Sequence, residues 1–191
     1  DTWQGGTQDF ANTNQIALTP GSTAKDLGFA WYSKTKGTPA VMVWKDGAKS
    51  GANIVKGTAT DINAANWQKE AYVASNKVSI NGFFEPNTKY VYQYTDNYSD
   101  NGDTIWSAEY TYTTHATDTF SVILTGDPQI GASGRKSDKD ANDMSVAQDA
   151  YNWNKTMQKA MEIDPDASFL LSVGDQINES NAESEETKKT R

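Results

Sequence analysis

Cysteine is absent from the 191 residues of this chain, which excludes a disulfide framework and every thiolate metal site. Histidine is almost as scarce. His115 is the only one, so these residues cannot by themselves build an imidazole-rich centre. No apolar run approaches the roughly 20 residues that cross a bilayer as a helix, and no membrane segment is expected. Nor is there a basic block. The formal net charge is −8, and the short cationic stretch Lys188, Lys189 and Arg191 adjoins an acidic run. A nucleic-acid partner is therefore not expected. Aromatic residues, by contrast, are plentiful: 6 Trp and 9 Tyr in a composition that is 36% hydrophobic, enough for a packed core and too much for a disordered chain. Residues 1–14, "DTWQGGTQDFANTN", are polar and begin without Met. They read as a trimmed start, which predicts export and a secreted or cell-surface location.

From about residue 15 to 114 the pattern is that of short strands. Leu27, Phe29 and Trp31 share one face of "DLGFAWYS". In "PAVMVW", Val41 and Val43 oppose Ala40, Met42 and Trp44. Tyr90, Tyr92 and Tyr94 line one side of "KYVYQYT", and Trp106, Ala108, Tyr110 and Tyr112 alternate in "IWSAEYTYTT". Turn clusters such as "TPGST", "KTKGTP" and "DNYSDNGD" separate these runs. Short alternating strands with frequent turns predict an antiparallel β-sandwich. In "FFEPNTKY", Tyr90 follows a turn at the start of an aromatic strand. That placement predicts a tyrosine corner, the hydroxyl returning to the backbone upstream. The block looks like a fibronectin type III-like or immunoglobulin-like domain.

After residue 118 the rhythm changes. "FSVILT" and "SFLLSVG" are continuous apolar runs, and between them Val146, Ala150, Trp153, Met157 and Ala160 recur at helical spacing. Strand, helix, strand, with both strands apolar throughout, predicts a βαβ unit in a parallel sheet covered on both faces. The expected class is thus multi-domain: a sandwich over residues 15–114, then the first βαβ part of an α/β domain over residues 119–191. One such unit is too small to cover a parallel sheet, and residues 119–191 are expected to be an incomplete domain.

Each apolar run stops at Gly-Asp, in "GDPQIG" and in "GDQIN". Ligands of parallel sheets bind beyond the carboxyl ends of the strands, where Asp127 and Asp175 would lie. On neighbouring strands, about 4.8 Å apart, two carboxylates repel unless one holds a proton or a hard divalent cation lies between them. Gln129 could offer an amide oxygen to the same ion, and Asn178 could orient a ligand or a bound water. Each has a plainer reading, as a strand-ending turn or an exposed loop amide.

The tandem "GDPQIG … GDQIN" resembles the first two motifs of the calcineurin-like metallophosphoesterases, and the preceding block looks like the N-terminal domain of purple acid phosphatases. The resemblance implies a metallophosphoesterase acting on small phosphate esters through two divalent metal ions (Mn, Zn or Fe), with Asp127 a terminal ligand, Asp175 the bridge and Gln129 beside them. Purple members place a Tyr three residues after the second Asp. Asn178 stands there, which argues against a ferric charge-transfer site. The family's Gly-Asn-His motif and later His ligands do not occur here, and His115, preceding the first Asp, reads as a linker residue. The chain is therefore expected to be the N-terminal fragment of an exported phosphoesterase, itself inactive. The alternative is a non-catalytic extracellular binding or adhesion sandwich, with Trp3, Trp67 or Trp106 available for stacking. A nucleotide-binding domain is disfavoured, because the first loop has neither G-x-G-x-x-G nor a Walker pattern. Oligomeric state stays open.

Overall fold

The computed structural model describes residues 16–62, 73–133 and 143–177. The chain divides between Thr119 and Phe120 into two compact units.

The first unit carries eight strands: β1 (Ala17–Pro20), β2 (Leu27–Ser33), β3 (Ala40–Lys45), β4 (Asn53–Lys56), β5 (Thr58–Asp61), β6 (Ala74–Ile80), β7 (Lys89–Thr95) and β8 (Tyr110–Thr113). They form two four-stranded sheets, ordered β1-β2-β6-β5 and β4-β3-β7-β8, and every pairing within them is antiparallel. Strand alternation sets which side chains point inward. Leu27, Phe29 and Trp31 of β2, Val78 and Ile80 of β6, Val41 and Val43 of β3, and Tyr90, Tyr92 and Tyr94 of β7 share one core with Phe84. Aromatic contacts run across it: Phe29 meets Tyr92 edge-on at 5.3 Å, and Trp31 meets Tyr94 at 5.0 Å. The Trp31 indole N–H, too polar to bury alone, donates to Asp96 Oδ1 at 2.7 Å.

Two local devices hold the sheets in place. Tyr90 is fully buried, and its hydroxyl accepts a hydrogen bond from the Glu85 backbone N–H at 2.8 Å. This is a tyrosine corner, which fixes the turn that feeds β7. Thr114 ties the same turn from the far side, its hydroxyl accepting from Thr88 N–H at 2.9 Å and donating to Glu85 O at 2.5 Å. The second device is Gly57. It alone separates β4, in one sheet, from β5, in the other. A Cβ there would lie 2.0 Å from the Lys77 carbonyl oxygen, so only glycine passes so close to β6.

One strand is shorter than its sequence pattern predicts. The alternation from Ile105 onward becomes ladder only at Tyr110. The Tyr94 N–H donates to the Ser107 hydroxyl at 3.0 Å, and the Gln93 side-chain amide takes the Ser107 carbonyl at 2.7 Å. Ser107 N–H still donates to Tyr94 O at 2.9 Å, but the return bonds are made with side chains, and regular pairing does not start there. Trp106 lies outside the core, half-buried against Tyr98 with ring centroids 6.0 Å apart.

The second unit contains β9 (Val122–Thr125), α1 (Asp143–Ile163) and β10 (Phe169–Ser172). β9 and β10 pair in parallel, Val122 opposite Phe169 through Thr125 opposite Ser172. The expected class is corrected here. The described chain is all-β in character, with three sheets and a single helix, and it does not form the layered α/β metallophosphoesterase fold. The parallel pair is two strands wide and four residues long. Leu124 is 66% exposed and Leu171 49%, and Gly131 is the only described residue of this unit that is buried. A parallel sheet is stable as a layer only when both faces are covered. Apolar runs were necessary for that, but they do not supply the covering. No helix among the described residues is long and apolar enough to cross a membrane.

Candidate metal centre

The residues after β9 and β10 form two facing turns. The Asp127 N–H donates to Gly174 O at 3.1 Å, the Gln129 N–H to Asp175 O at 2.8 Å, and the Ile130 N–H to Gln176 O at 3.1 Å. Ile130 and Ile177 add a parallel bridge beyond the strands. The two Gly-Asp segments therefore run side by side, held by backbone bonds rather than by side-chain packing.

Their backbone is unusual. Asp127 has φ 59°, Gln129 φ 42° and Asp175 φ 43°. Non-glycine residues avoid this left-handed region, each at a cost of roughly 1–3 kcal/mol unless the surroundings impose it. Four described non-glycine residues have positive φ, and three of them are the three metal-ligand candidates. The fourth, Asn87, belongs to the turn below the tyrosine corner. The two glycines have different tasks. Gly174, at φ 127°, needs its lack of a side chain for conformation. Gly126 needs it for space, since a Cβ would come within 2.9 Å of the Val173 side chain.

The side chains meet in part. The Gln129 side-chain N–H donates to Asp175 Oδ2 at 3.4 Å, so its nitrogen and not its oxygen faces that carboxylate. Asp127 joins through its backbone, and both Asp127 and Asp175 are exposed. The backbones of the two turns are thus side by side, and of the three side chains only Gln129 and Asp175 meet. Asn178, predicted as a supporting residue, lies outside the described residues, as do Trp3 and Trp67. His115 sits half-buried between β8 and β9.

Two carboxylates and an amide oxygen are hard donors, suited to one divalent ion. Three such oxygens would supply about half of an octahedral sphere. Among the described residues no group of three or more His, Cys, Asp or Glu converges. The residues carry the right donor types for part of one cation site, but Gln129 would have to turn its oxygen where its N–H now points, and a second ion would require donors beyond these.

One residue was invisible to sequence reasoning. Asp149, on α1, accepts from the Gly131 N–H at 2.9 Å and the Ser133 N–H at 3.1 Å, both at Oδ2. It borders a cleft of about 240 Å³ with Gln129, Asn152, Trp153 and Thr156. Positions 149, 152, 153 and 156 follow the helical period, and that spacing beside the apolar stripe was the available signal.

No family model matches the chain, and no curated protein is significantly similar to it. Among solved structures, the sensor domain of the anti-sigma factor RsgI4 from Pseudobacteroides cellulosolvens is similar at 19% identity and a TM-score of 0.34, over 56% of this chain and 94% of that one. A likeness that loose assigns neither fold nor role.

Proposed function

We propose that the paired Gly-Asp turns are part of the metal centre of a phosphoester hydrolase, with Asp127 and Asp175 as carboxylate ligands and Gln129 as a neighbouring amide donor. The observation that carries this reading is the clustering of strained backbone on those three residues, on two turns tied edge to edge. Strain of this kind persists where surrounding bonds over-determine it, and it concentrates at ligand-binding positions. A bound divalent ion would supply Lewis acidity toward a phosphoryl oxygen and would acidify bound water. The chain's own share is positional: backbone bonds hold the two Asp-bearing turns side by side, and Gln129 sits against Asp175 without adding charge. Two divalent ions and a small phosphate ester are the cofactors and substrate this reading requires, and the other donors would have to come from residues beyond these three.

The test is a Mn²⁺ titration of the protein and of its Asp127→Asn and Asp175→Asn variants, read by paramagnetic broadening of backbone amides. Broadening confined to residues 126–130 and 174–177, and lost in either variant, is the expected result. No localised broadening at millimolar Mn²⁺, or broadening indifferent to both substitutions, sinks the proposal.

A non-catalytic binding role is favoured by a different observation. Ile105 is 86% exposed and sits beside Trp106, itself against Tyr98, on the long loop between β7 and β8. Unperturbed turns on Mn²⁺ addition, together with shifts of the Tyr98 and Trp106 resonances on adding oligosaccharide, would turn the assignment to this role.

A further inference from the structure

We infer that Asp149 is a positioning residue that holds the first Gly-Asp turn in its ligand-presenting shape; the inference shares the metal-site reading above, but one of its two readouts is independent of any metal. The turn from Gly126 to Ser133 contains two non-glycine residues in the left-handed region, Asp127 and Gln129. Left to itself, such a segment relaxes toward ordinary conformations. Besides the turn's own bond from Ala132 N–H to Gln129 O at 2.9 Å, its restraints fall into two sets. On one side, the N–H groups of Asp127, Gln129 and Ile130 are tied to residues 174–176. On the other, the N–H groups of Gly131 and Ser133 are both tied to a single oxygen of Asp149. Gly131 is the only described residue of this unit that is buried, so its N–H has little water to replace a lost acceptor. Asp149 therefore anchors the far end of the turn to α1, and through that end fixes where Asp127 and Gln129 stand against Asp175.

Both bonds end on Oδ2, which separates two substitutions. Asp149→Asn keeps a carbonyl oxygen able to accept both N–H groups, whereas Asp149→Ala keeps none. A residue that bound the ion through its charge would fail in both variants, and a positioning residue fails only in the second. The experiment uses the whole 191-residue protein. Amide hydrogen exchange is followed at Gln129, Ile130, Gly131 and Ser133, with α1 monitored by far-ultraviolet circular dichroism. Exchange at these amides should accelerate about tenfold or more in Asp149→Ala and stay near wild type in Asp149→Asn. The apparent Mn²⁺ dissociation constant should rise about 10–100-fold in the alanine variant, the range for losing a group that orients metal ligands, and recover in the asparagine variant. Unchanged exchange at Gln129 and Ile130 in Asp149→Ala with α1 intact overturns the inference, as does equal loss in both variants. If Asp149→Ala melts α1, Asp149→Asn alone decides, and lost protection at Gly131 and Ser133 then refutes it. If the wild type takes up no Mn²⁺ while exchange still follows the alanine–asparagine pattern, the metal reading fails and the positioning role stands.

Discussion

Replacing Tyr90 by Phe removes one oxygen from the interior and leaves everything else in place. The ring stays, and with it the edge-on contact to Phe84 at 4.9 Å and the contact to Phe83 at 5.7 Å. The hydrogen bond from the Glu85 N–H at 2.8 Å is lost. A typical intramolecular hydrogen bond contributes about 0.5–1.5 kcal/mol net, and a buried donor left unpaired costs about 1–3 kcal/mol. Glu85 is exposed as a residue, so water recovers part of that second cost, and the expected loss is about 1.5 kcal/mol. For a unit of roughly 100 residues this lowers Tm by about 6–12 °C. Urea titrations followed by the fluorescence of Trp31 and Trp44, both core residues, should show a lower midpoint at unchanged slope. Tyr90→Ala, which also empties the ring site, should lose about 3–5 kcal/mol. A phenylalanine variant within 0.5 kcal/mol of wild type would refute the reasoning, because the corner would then be geometry without energy.

Gly57→Ala drives a methyl into the Lys77 carbonyl and within 2.6 Å of Val78 Cγ2, and should cost about 2–3 kcal/mol by the same urea assay. Alkaline titration offers a further check. Burial, and secondarily the neighbouring Tyr110, push the Tyr92 phenol up to about 12 from an ordinary 10.0. Burial raises Tyr94 and Tyr112 as well. The folded state therefore keeps protons that the unfolded chain releases, so stability is full below pH 10 and falls as pH rises toward 12. Thermal melts between pH 8 and 12 should show Tm declining only above about pH 10, and a flat profile would contradict the burial of these rings. At Asp26, backbone and hydroxyl donors hold the carboxyl below its usual range, Gly82 N–H at 2.7 Å first among them. Asp26→Ala should lower the midpoint, and the difference from wild type should shrink as pH falls through the folded pKa of Asp26.

How much was legible varies by element. The inward faces of β2 and β7 follow from alternation alone, because a period of two leaves one choice of face. The tyrosine corner was legible too, since a Tyr just after a Pro-containing turn carries its own short-range partner. The start of the last sandwich strand was not. Ser107 and Gln93 substitute side-chain groups into the ladder, and no periodicity reports that. Asp127, Gln129 and Asp175 were visible as a motif, but their left-handed backbone was not, because Asp tolerates that region without requiring it and Gln seldom enters it. Asp149 escaped notice because its acceptor role depends on where a loop 16–18 residues earlier comes to lie against it.

The chain's own pattern determined that aromatic strands would stack on one side, that no thiolate centre could form, and that two apolar runs would each stop at Gly-Asp. Tertiary structure decided whether those runs became a layer. Local pattern specifies which face of an element is apolar, whereas burial depends on what long-range contacts bring against that face. In the sandwich two sheets cover each other, and the core closes on Phe29, Val41, Val78 and Tyr90. In the second unit, among the described residues, β9 and β10 pair only with each other, and their leucines stay exposed. The same dependence on distant partners placed the two Gly-Asp turns side by side, through backbone bonds between residues more than forty positions apart.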